Sequence, residues 1–322
     1  MASGDRVFLT GATGFIGSHV LRELLAAGYR VRALKRTPVS AQDDTAAVEW
    51  IAGDLRAVGG FARALQGCRY LIHCAALYSF GPRDRAELKA INVDATASLM
   101  LAGHLAGLER AILTSSSATE GHAISGYHLS KLQQERAAFA SRLPVVALLP
   151  TAPVGPGDAK PTPTGKLVLD FVRGKIVAKA PGSGGMNLVA VQDVASAHVA
   201  ALERGRIGER YIIGGENLSM DEIWQLLADV TGKPMPAWRA PYAFALAAGY
   251  CDELRCRITG ANPSVPLEGV RLSRVLMYAD SSKARHDLGY APTPVRAALE
   301  RAVAWYRQTT ACERNLGESA TV

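Results

Sequence analysis

Gly11, Gly14 and Gly17 recur at three-residue steps between an apolar run, RVFLT at 6–10, and an amphipathic stretch over 15–27 that stops at Gly28. Strand, glycine loop and helix in that order is how a chain presents a helix N-terminus to a phosphate group. Gly11 allows the tight turn, Gly14 lets backbone approach a pyrophosphate, and Gly17 lets the helix pack on the strand. Thr13, Phe15 and Ile16 fill the loop between them, in the spacing GxxGxxG. A glycine triplet alone also suits a simple packing turn, so the surrounding pattern has to decide.

That pattern is an alternation. Short apolar runs at 31–34, 49–51, 70–74, 111–115 and 145–149 read as strands, and 86–107 and 127–141 read as helices. Strands separated by helices of this length form βαβ units, hence a parallel sheet covered on both faces. The fold expected is α/β, a doubly wound Rossmann sheet with a smaller C-terminal substrate-binding domain. Past Leu149 the character changes: residues 150–165 hold five prolines, three glycines and three threonines, a loop composition. A further strand is expected at 211–213. Ser219 with Glu222 three residues on forms a capping box for the next helix. Helices are expected over 241–258 and 295–306. Residues 1–155 and 188–214 are assigned to the nucleotide-binding domain, 156–187 and 215–310 to the substrate domain, and 311–322 to a flexible tail.

Bulk properties exclude several classes. The net charge of +7 is scattered without a block of five or more basic residues, so nucleic acid is not expected as a partner. Five cysteines, an odd number without CxxC, argue for reduced thiols in a cytoplasm and against a metal site. The N-terminus runs straight into a strand and is not a signal peptide. The most apolar later stretch, 242–250, falls far short of the ~20 residues of a membrane span.

Chemistry is suggested by Tyr127 and Lys131, four residues apart and hence on one helix face. An ammonium beside a phenol favours the phenolate and lowers its pKa, fitting the tyrosine to pass a proton to or from a carbinol oxygen. Just upstream, Ser115, Ser116 and Ser117 follow a strand, where hydroxyls can hold a substrate oxygen. His122 and His128 read as surface residues, Asp193 as a helix cap, and Trp224, Trp238 and Trp305 as packing.

With these residues in view, the chain resembles the extended short-chain dehydrogenases/reductases, the NAD-dependent epimerase/dehydratase family. The matching pieces are GATGFIG (11–17), GDL (53–55), HCAA (73–76), NVDAT (92–96), TSSSAT (114–119), YHLSK (127–131) and PTAPVGP (150–156). Within the family it is most similar to hopanoid-associated sugar epimerases and dihydroflavonol-4-reductase-like enzymes, through PTAPVGPGDAKPTPTGK (150–166), GMNLVAVQDVASAH (185–198) and GERYIIGGENLS (208–219). The resemblance implies a site in the cleft between the domains, with Asp54 and Leu55 by the adenine and Ala75 and Ala76 along the cofactor's middle. It also implies that Asn92 supports a Lys131 relay and that Pro150, Thr151 and Pro153 border the nicotinamide. Family members carry the catalytic hydroxyl at the second or third serine, leaving Ser116 and Ser117 both open. A homodimer through the helices at 86–107 and 127–141 is a further implication. Two departures stand out. Only nine residues separate Ser117 from Tyr127, fewer than typical members carry, which suits an open mouth and a bulky substrate. Ala190 stands where many relatives have histidine.

The second strand's end bears on cofactor choice. An NAD enzyme places Asp or Glu there for the ribose hydroxyls. This chain has Arg32, Lys35 and Arg36 and no acid from 30 to 42, so NADP(H) is favoured over NAD(H); the resemblance to the family's reductases implies that Arg36 faces the 2′-phosphate. The leading functional expectation is an NADP(H)-dependent oxidoreductase acting on a small-molecule carbonyl or carbinol. The alternatives are a nucleotide-sugar epimerase or dehydratase with transient hydride transfer, and a nucleotide-binding relative without turnover.

Overall fold

The computed structural model describes residues 4–38, 48–79, 84–121, 126–176, 178–179, 182–259 and 267–319, and for 257, 268 and 311–319 the backbone alone. His122 and residues 39–42 of the acid-free stretch lie outside the described residues.

The strands are β1 (Arg6–Thr10), β2 (Arg30–Lys35), β3 (Val48–Ala52), β4 (Tyr70–His73), β5 (Arg110–Thr114), β6 (Val145–Pro150), β7 (Ala152–Val154), β8 (Gly185–Ala190), β9 (Arg210–Ile213), β10 (Glu216–Ser219) and β11 (Leu276–Met277). The helices are α1 (Phe15–Ala26), α2 (Arg85–Leu88), α3 (Ala95–Leu105), α4 (Gly126–Phe139), α5 (Pro163–Val172), α6 (Val191–Arg204), α7 (Met220–Thr231), α8 (Tyr242–Thr259), α9 (Leu267–Leu272), α10 (Ser282–Leu288) and α11 (Val295–Ser319).

Two compact units share the chain. The first holds Met1–Thr151, Val191–Ile213 and Asp280–Pro292. Its seven strands run in the order β3-β2-β1-β4-β5-β6-β9, all parallel. The order reverses beside β1, so the loops leaving β1 and β4 diverge at the sheet's carboxyl edge, where open α/β sheets bind ligands. The central strands β1, β4, β5 and β6 are buried almost throughout, as a sheet covered on both faces requires. One core lies around Phe8, Leu71, Leu99, Met100 and Leu113, with the Phe8 and Phe61 rings stacked at 6.0 Å. Helix α1 packs against α6.

The second unit holds Ala152–Ala190, Gly214–Ala279 and Thr293–Val322. Its small sheet runs β10-β8-β11, with β7 also on β8. Trp224 and Phe171 stack at 6.0 Å in its core beside Tyr306. The expected capping box is formed: the Ser219 hydroxyl accepts from the Glu222 amide, and the Glu222 carboxylate accepts from the Ser219 amide at 2.7 Å.

Several elements differ from the sequence reading. The helix expected over 86–107 is interrupted by a π-turn at Lys89–Asp94, whose extra residue per turn rotates Asn92 inward to full burial. The proline-rich stretch holds β7 and the start of α5, where Pro163 takes the first helical position that tolerates a missing amide. Residues 188–190 belong to β8 of the small sheet, and Asp280–Pro292 returns to the first unit. Helix α11 continues to Ser319, through most of the stretch read as a tail. Asp193 sits in the first turn of α6, inside the helix instead of at its cap. Trp224 is core as expected, whereas Trp238 is 56% exposed.

Candidate active site

The glycine loop is shaped by what its glycines exclude. Gly11 has φ +77°, and a Cβ there would lie 2.7 Å from the Ala75 amide nitrogen, so the loops after β1 and β4 touch through backbone. A Cβ on Gly17 would run into the Gly11 carbonyl. The Gly14 amide donates back to Gly11 O at 2.9 Å. Helix α1 therefore starts at Phe15 with Gly14 as its N-cap, no side-chain cap and no acid in its first turn. Its terminal amides and positive dipole suit an anion, and the tight backbone fits a pyrophosphate. Thr13, Phe15 and Ile16 lie at this end, and Ala75 and Ala76 follow β4 directly opposite.

A chain of buried hydrogen bonds fixes that meeting point. The Ala75 amide donates to Thr10 Oγ1 at 3.3 Å, and the Thr10 hydroxyl donates to His73 Nδ1 at 2.6 Å. His73 Nε2–H donates to Thr96 Oγ1 at 2.9 Å, and the Thr96 hydroxyl donates to Asn92 O at 2.7 Å. This set of partners assigns the tautomer. Burial, reinforced by the Lys131 charge, pulls His73 down to about 3, so the imidazole is neutral. Asn92 clamps the next stretch: its Oδ1 accepts from the Leu77 amide at 2.7 Å, and its Nδ2 donates to Leu77 O and to Ser130 Oγ, both at 3.0 Å. Asn92 thus reaches Ser130, the neighbour of Lys131.

Helix α4 carries the Tyr–Lys pair. Tyr127 is half-buried, with its ring set edge-on to Tyr78 at 4.5 Å. Its hydroxyl is hydrogen-bonded to Ser116. Burial pushes the phenol well above its ordinary value, with the Ser116 bond opposing, contrary to the lowering expected from a lysine neighbour. The Lys131 ammonium points elsewhere, donating to Thr114 O at 2.8 Å and to Gln134 Oε1. Burial pulls Lys131 down to about 8, against the Glu135 charge and Cys74. Gln134 in turn donates to Thr96 Oγ1 at 3.0 Å, joining the lysine to the His73 chain.

The serine run is held by groups that sequence reasoning missed. The Ser115 hydroxyl donates to the buried Glu135 carboxylate at 2.6 Å, as does Thr119 at 3.2 Å. Arg210, at the start of β9, pairs with Glu135 and, at 2.6 Å, with Glu120. Ser116 caps the short 3-10 turn Ser117–Glu120 by accepting from the Ala118 amide at 3.2 Å, and Ser117 lies inside that turn. Of the two open serines, Ser116 is therefore the one joined to Tyr127. The Glu135 position was visible only as a polar residue one turn beyond Lys131. His198 was likewise unremarked: its Nδ1–H donates to Val194 O and its Nε2 accepts from the Thr114 hydroxyl, both at 2.7 Å.

At the second strand's end, Arg32 is engaged with Glu49 and with the carbonyls of Ala64 and Gln66. Lys35 lies over the Trp50 ring at 5.5 Å, and Arg36 is exposed. Asp54 accepts from the Arg56 amide and guanidinium, which hold its carboxyl at about 2, with Arg36 contributing; Leu55 beside it is buried. Thr151 follows β6, its amide donating to Ile213 O at 3.2 Å after Pro150. Pro153 lies in β7 of the second unit.

Residues 7–214 match the profile of the NAD dependent epimerase/dehydratase family. The chain belongs to that family. It is thus an enzyme of the oxidoreductase/epimerase kind on the extended short-chain dehydrogenase/reductase fold, and the family's cofactor is a nicotinamide dinucleotide. A Synechocystis relative named for dihydroflavonol 4-reductase is 36% identical, over 95% of this chain and 96% of its own. Sterol demethylase protein B of Methylococcus capsulatus is 34% identical, over 93% and 98%. The crystal structure of gox2253 superposes with a TM-score of 0.80 at 37% identity, over 95% of this chain and 98% of its own.

The Lys131 geometry has a measurable consequence. Between about 8 in the folded chain and 10.5 in the unfolded one, the unfolded chain holds a proton that the folded one lacks, so stability rises with pH across that window. Compared with Lys131→Met, the natural protein is expected to gain roughly 1 kcal/mol per pH unit there. Urea unfolding of both at a series of pH values reads the difference. A pH-independent gap would mean that Lys131 is not held low.

Proposed function

We propose that this enzyme is an NADP(H)-dependent oxidoreductase that interconverts a carbonyl and a carbinol, with Tyr127 as the proton carrier. The observation that carries the reading is the half-buried Tyr127 phenol bonded to Ser116, on the helix whose next turn carries Lys131. The glycine loop suits a dinucleotide through backbone amides at the start of α1, in a tight turn that a Cβ at Gly11 or Gly17 would break by colliding with the Ala75 amide or the Gly11 carbonyl. Gly11 to Gly17 would hold the pyrophosphate, Asp54 and Leu55 the adenine end, Ala75 and Ala76 the middle, and Pro150, Thr151 and Pro153 the nicotinamide end. When bound, the nicotinamide accepts or supplies the hydride.

The chain's own groups handle the proton. A phenol whose pKa is raised is protonated at neutral pH, which suits donation from Tyr127 Oη to an oxygen gaining negative charge. Ser116 Oγ orients that phenol and offers a second hydroxyl to the same oxygen. Lys131 contributes positive charge from the turn below, and Asn92 keeps the Leu77 backbone and Ser130 in register with α4. The family likeness equally suits transient oxidation in an epimerase; the basic end of β2 and the reductase-named relative favour net reduction. The short link between the Ser117–Glu120 turn and α4, with the sterol-named relative, supports a bulky, lipophilic substrate. Free Cys68, Cys74, Cys251 and Cys256 support a reducing, cytoplasmic setting.

Tyr127→Phe is expected to lower turnover by about 10²–10⁴-fold and leave cofactor affinity nearly unchanged, because the ring keeps its packing while the proton is lost. Steady-state kinetics beside cofactor titration checks this, and a natural rate in the variant would remove the mechanism.

Cofactor preference is read by calorimetry with NADPH and NADH. NADPH should bind more tightly, and Arg36→Ala should weaken NADPH selectively, by about tenfold or more, the order expected for a charge-assisted contact to phosphate. Tighter NADH binding would reverse the assignment.

We also infer a homodimer through α3 and α4, whose Leu101, Leu105 and Leu129 are exposed. Light scattering at micromolar concentration should give twice the 34.1 kDa chain mass, and a single-chain mass would end this inference.

A further inference from the structure

Helix α8 stands apart from the other long helices in what it leaves uncovered. Its sequence, YAFALAAGYCDELRCRIT, sets Phe244, Ala247, Cys251, Leu254 and Ile258 at three- and four-residue steps, a stripe along one face. That face is open: Phe244 is 75%, Leu254 60% and Ile258 76% exposed, with Ala247 and Cys251 exposed between them. The opposite face is the packed one, where buried Gly249 sits so close to α9 that a Cβ would lie 3.1 Å from Leu267 Cδ1. An amphipathic helix normally turns its apolar stripe to the core. Here the small residue faces the neighbour, and the large apolar ones face outward.

The surroundings share this bias. Of the fifteen exposed large apolar side chains among the described residues, ten fall between Met235 and Tyr278, Trp238 and Tyr250 among them. Such concentration marks an interaction surface and not scattered surface apolarity.

The charge around α8 selects the partner, with Arg271 on the flank of the stripe at Tyr250 and Arg274 behind it at Tyr242. Residues 233–278 hold six basic side chains (Lys233, Arg239, Arg255, Arg257, Arg271, Arg274) against three acids (Asp252, Glu253, Glu268), and of the six Arg239 is paired outside this stretch, with Asp221 of α7 at 2.6 Å. Asp252 is already paired with Arg255 at 2.7 Å. Arg271 and Arg274 are exposed, and among the described residues their partners are tyrosines of α8: Arg271 Nη2 donates to Tyr250 Oη at 3.1 Å, and the Arg274 guanidinium lies over the Tyr242 ring at 4.8 Å. Guanidinium heads on aromatic stems beside an apolar face keep their charge for an external anion. A second copy meeting this face across a two-fold axis would bring the same arginine rim toward its own image, a like-charge juxtaposition. No described helix is long and apolar enough to cross a membrane, and α8 carries Asp252, Glu253, Arg255 and Arg257 within its span.

We propose that α8 lies in the plane of an anionic lipid surface, with Phe244, Leu254 and Ile258 entering the acyl boundary and Arg271 and Arg274 at the phosphate headgroups. An apolar stripe sets the depth of such a helix and a basic rim sets its preference for acidic lipid. The docking requires neither Tyr127 nor a cofactor, so it stands independently of the oxidoreductase reading.

The test is co-sedimentation of the full chain with vesicles of phosphatidylcholine alone and of phosphatidylcholine with phosphatidylglycerol in equal parts, at low and high salt. Binding is expected on the acidic vesicles at low salt, weakening as salt screens the headgroups. Phe244→Asp with Leu254→Asp, and separately Arg271→Glu with Arg274→Glu, should each reduce the partition coefficient at least about tenfold. Ile207→Asp, at an exposed apolar position outside this segment, should bind as the natural chain does. Circular dichroism and thermal melting check that each variant is folded. Absence of binding to acidic vesicles overturns the proposal. Equal binding to both vesicle types removes the arginine role. Loss of self-association in the Phe244/Leu254 variant by light scattering, with vesicle binding unaltered, would assign the face to a second copy instead.

Discussion

A single buried relay of hydrogen bonds, from the Ala75 amide through Thr10, His73 and Thr96 to the Asn92 carbonyl, holds the site together. It crosses the point where the strand order reverses and ties the ends of β1 and β4 to the π-turn and α3. Each hydroxyl donates once and accepts at least once, and the neutral imidazole does the same with its two nitrogens. A charged His73 would carry a proton on both nitrogens, leaving the Thr10 hydroxyl facing a donor in a buried place where no water can substitute. Neutrality at His73 is thus a structural requirement as much as a consequence of burial.

Around that relay, charge is arranged unevenly. Lys131 is buried with its ammonium on Thr114 O and Gln134, while Glu135 one turn on accepts from Ser115 and Thr119 and pairs with Arg210. The carboxylate offsets part of the cost of burying the ammonium and also fixes the backbone on either side of Ser116. Adjacent turns of α4 thus carry a phenol, a cation and the anion that stabilises both the cation and the serine turn. Burial raises the pKa of the Tyr127 phenol, and the Ser116 bond opposes that rise.

Much of this was legible in the sequence wherever the signal is local. The glycine loop, the β-rich runs and the capping box at Ser219 depend on neighbours within a few residues, and the structure forms them within about two residues of the expected bounds. The π-turn was not legible, because a helical period fits 86–107 until the inward demand of Asn92 is known. Glu135, Gln134 and His198 looked like ordinary polar helix positions; their roles come from Ser115, Thr96 and Thr114, which are distant in sequence or on another element. The choice between Ser116 and Ser117 needed the turn itself, since only one of two adjacent hydroxyls can cap it and meet Tyr127. Trp238 shows the converse error, a bulky aromatic assumed to be core because of its type alone.

The first unit is assembled from three stretches of chain, the last ending at Pro292. Lys283 of α10 donates to Arg210 O, and Asp287 accepts from the Tyr211 hydroxyl and the Arg206 guanidinium, so the outer strand β9 is secured by residues some seventy positions later. During synthesis, then, all seven strands of the large sheet emerge before α10, and β9 can pair with β6 while the helix that fastens it is still being made. Vectorial folding would leave this enzyme an interval in which the last strand of the sheet is paired along one side only and not yet held by α10, an exposed edge that a growing chain has to keep from pairing elsewhere.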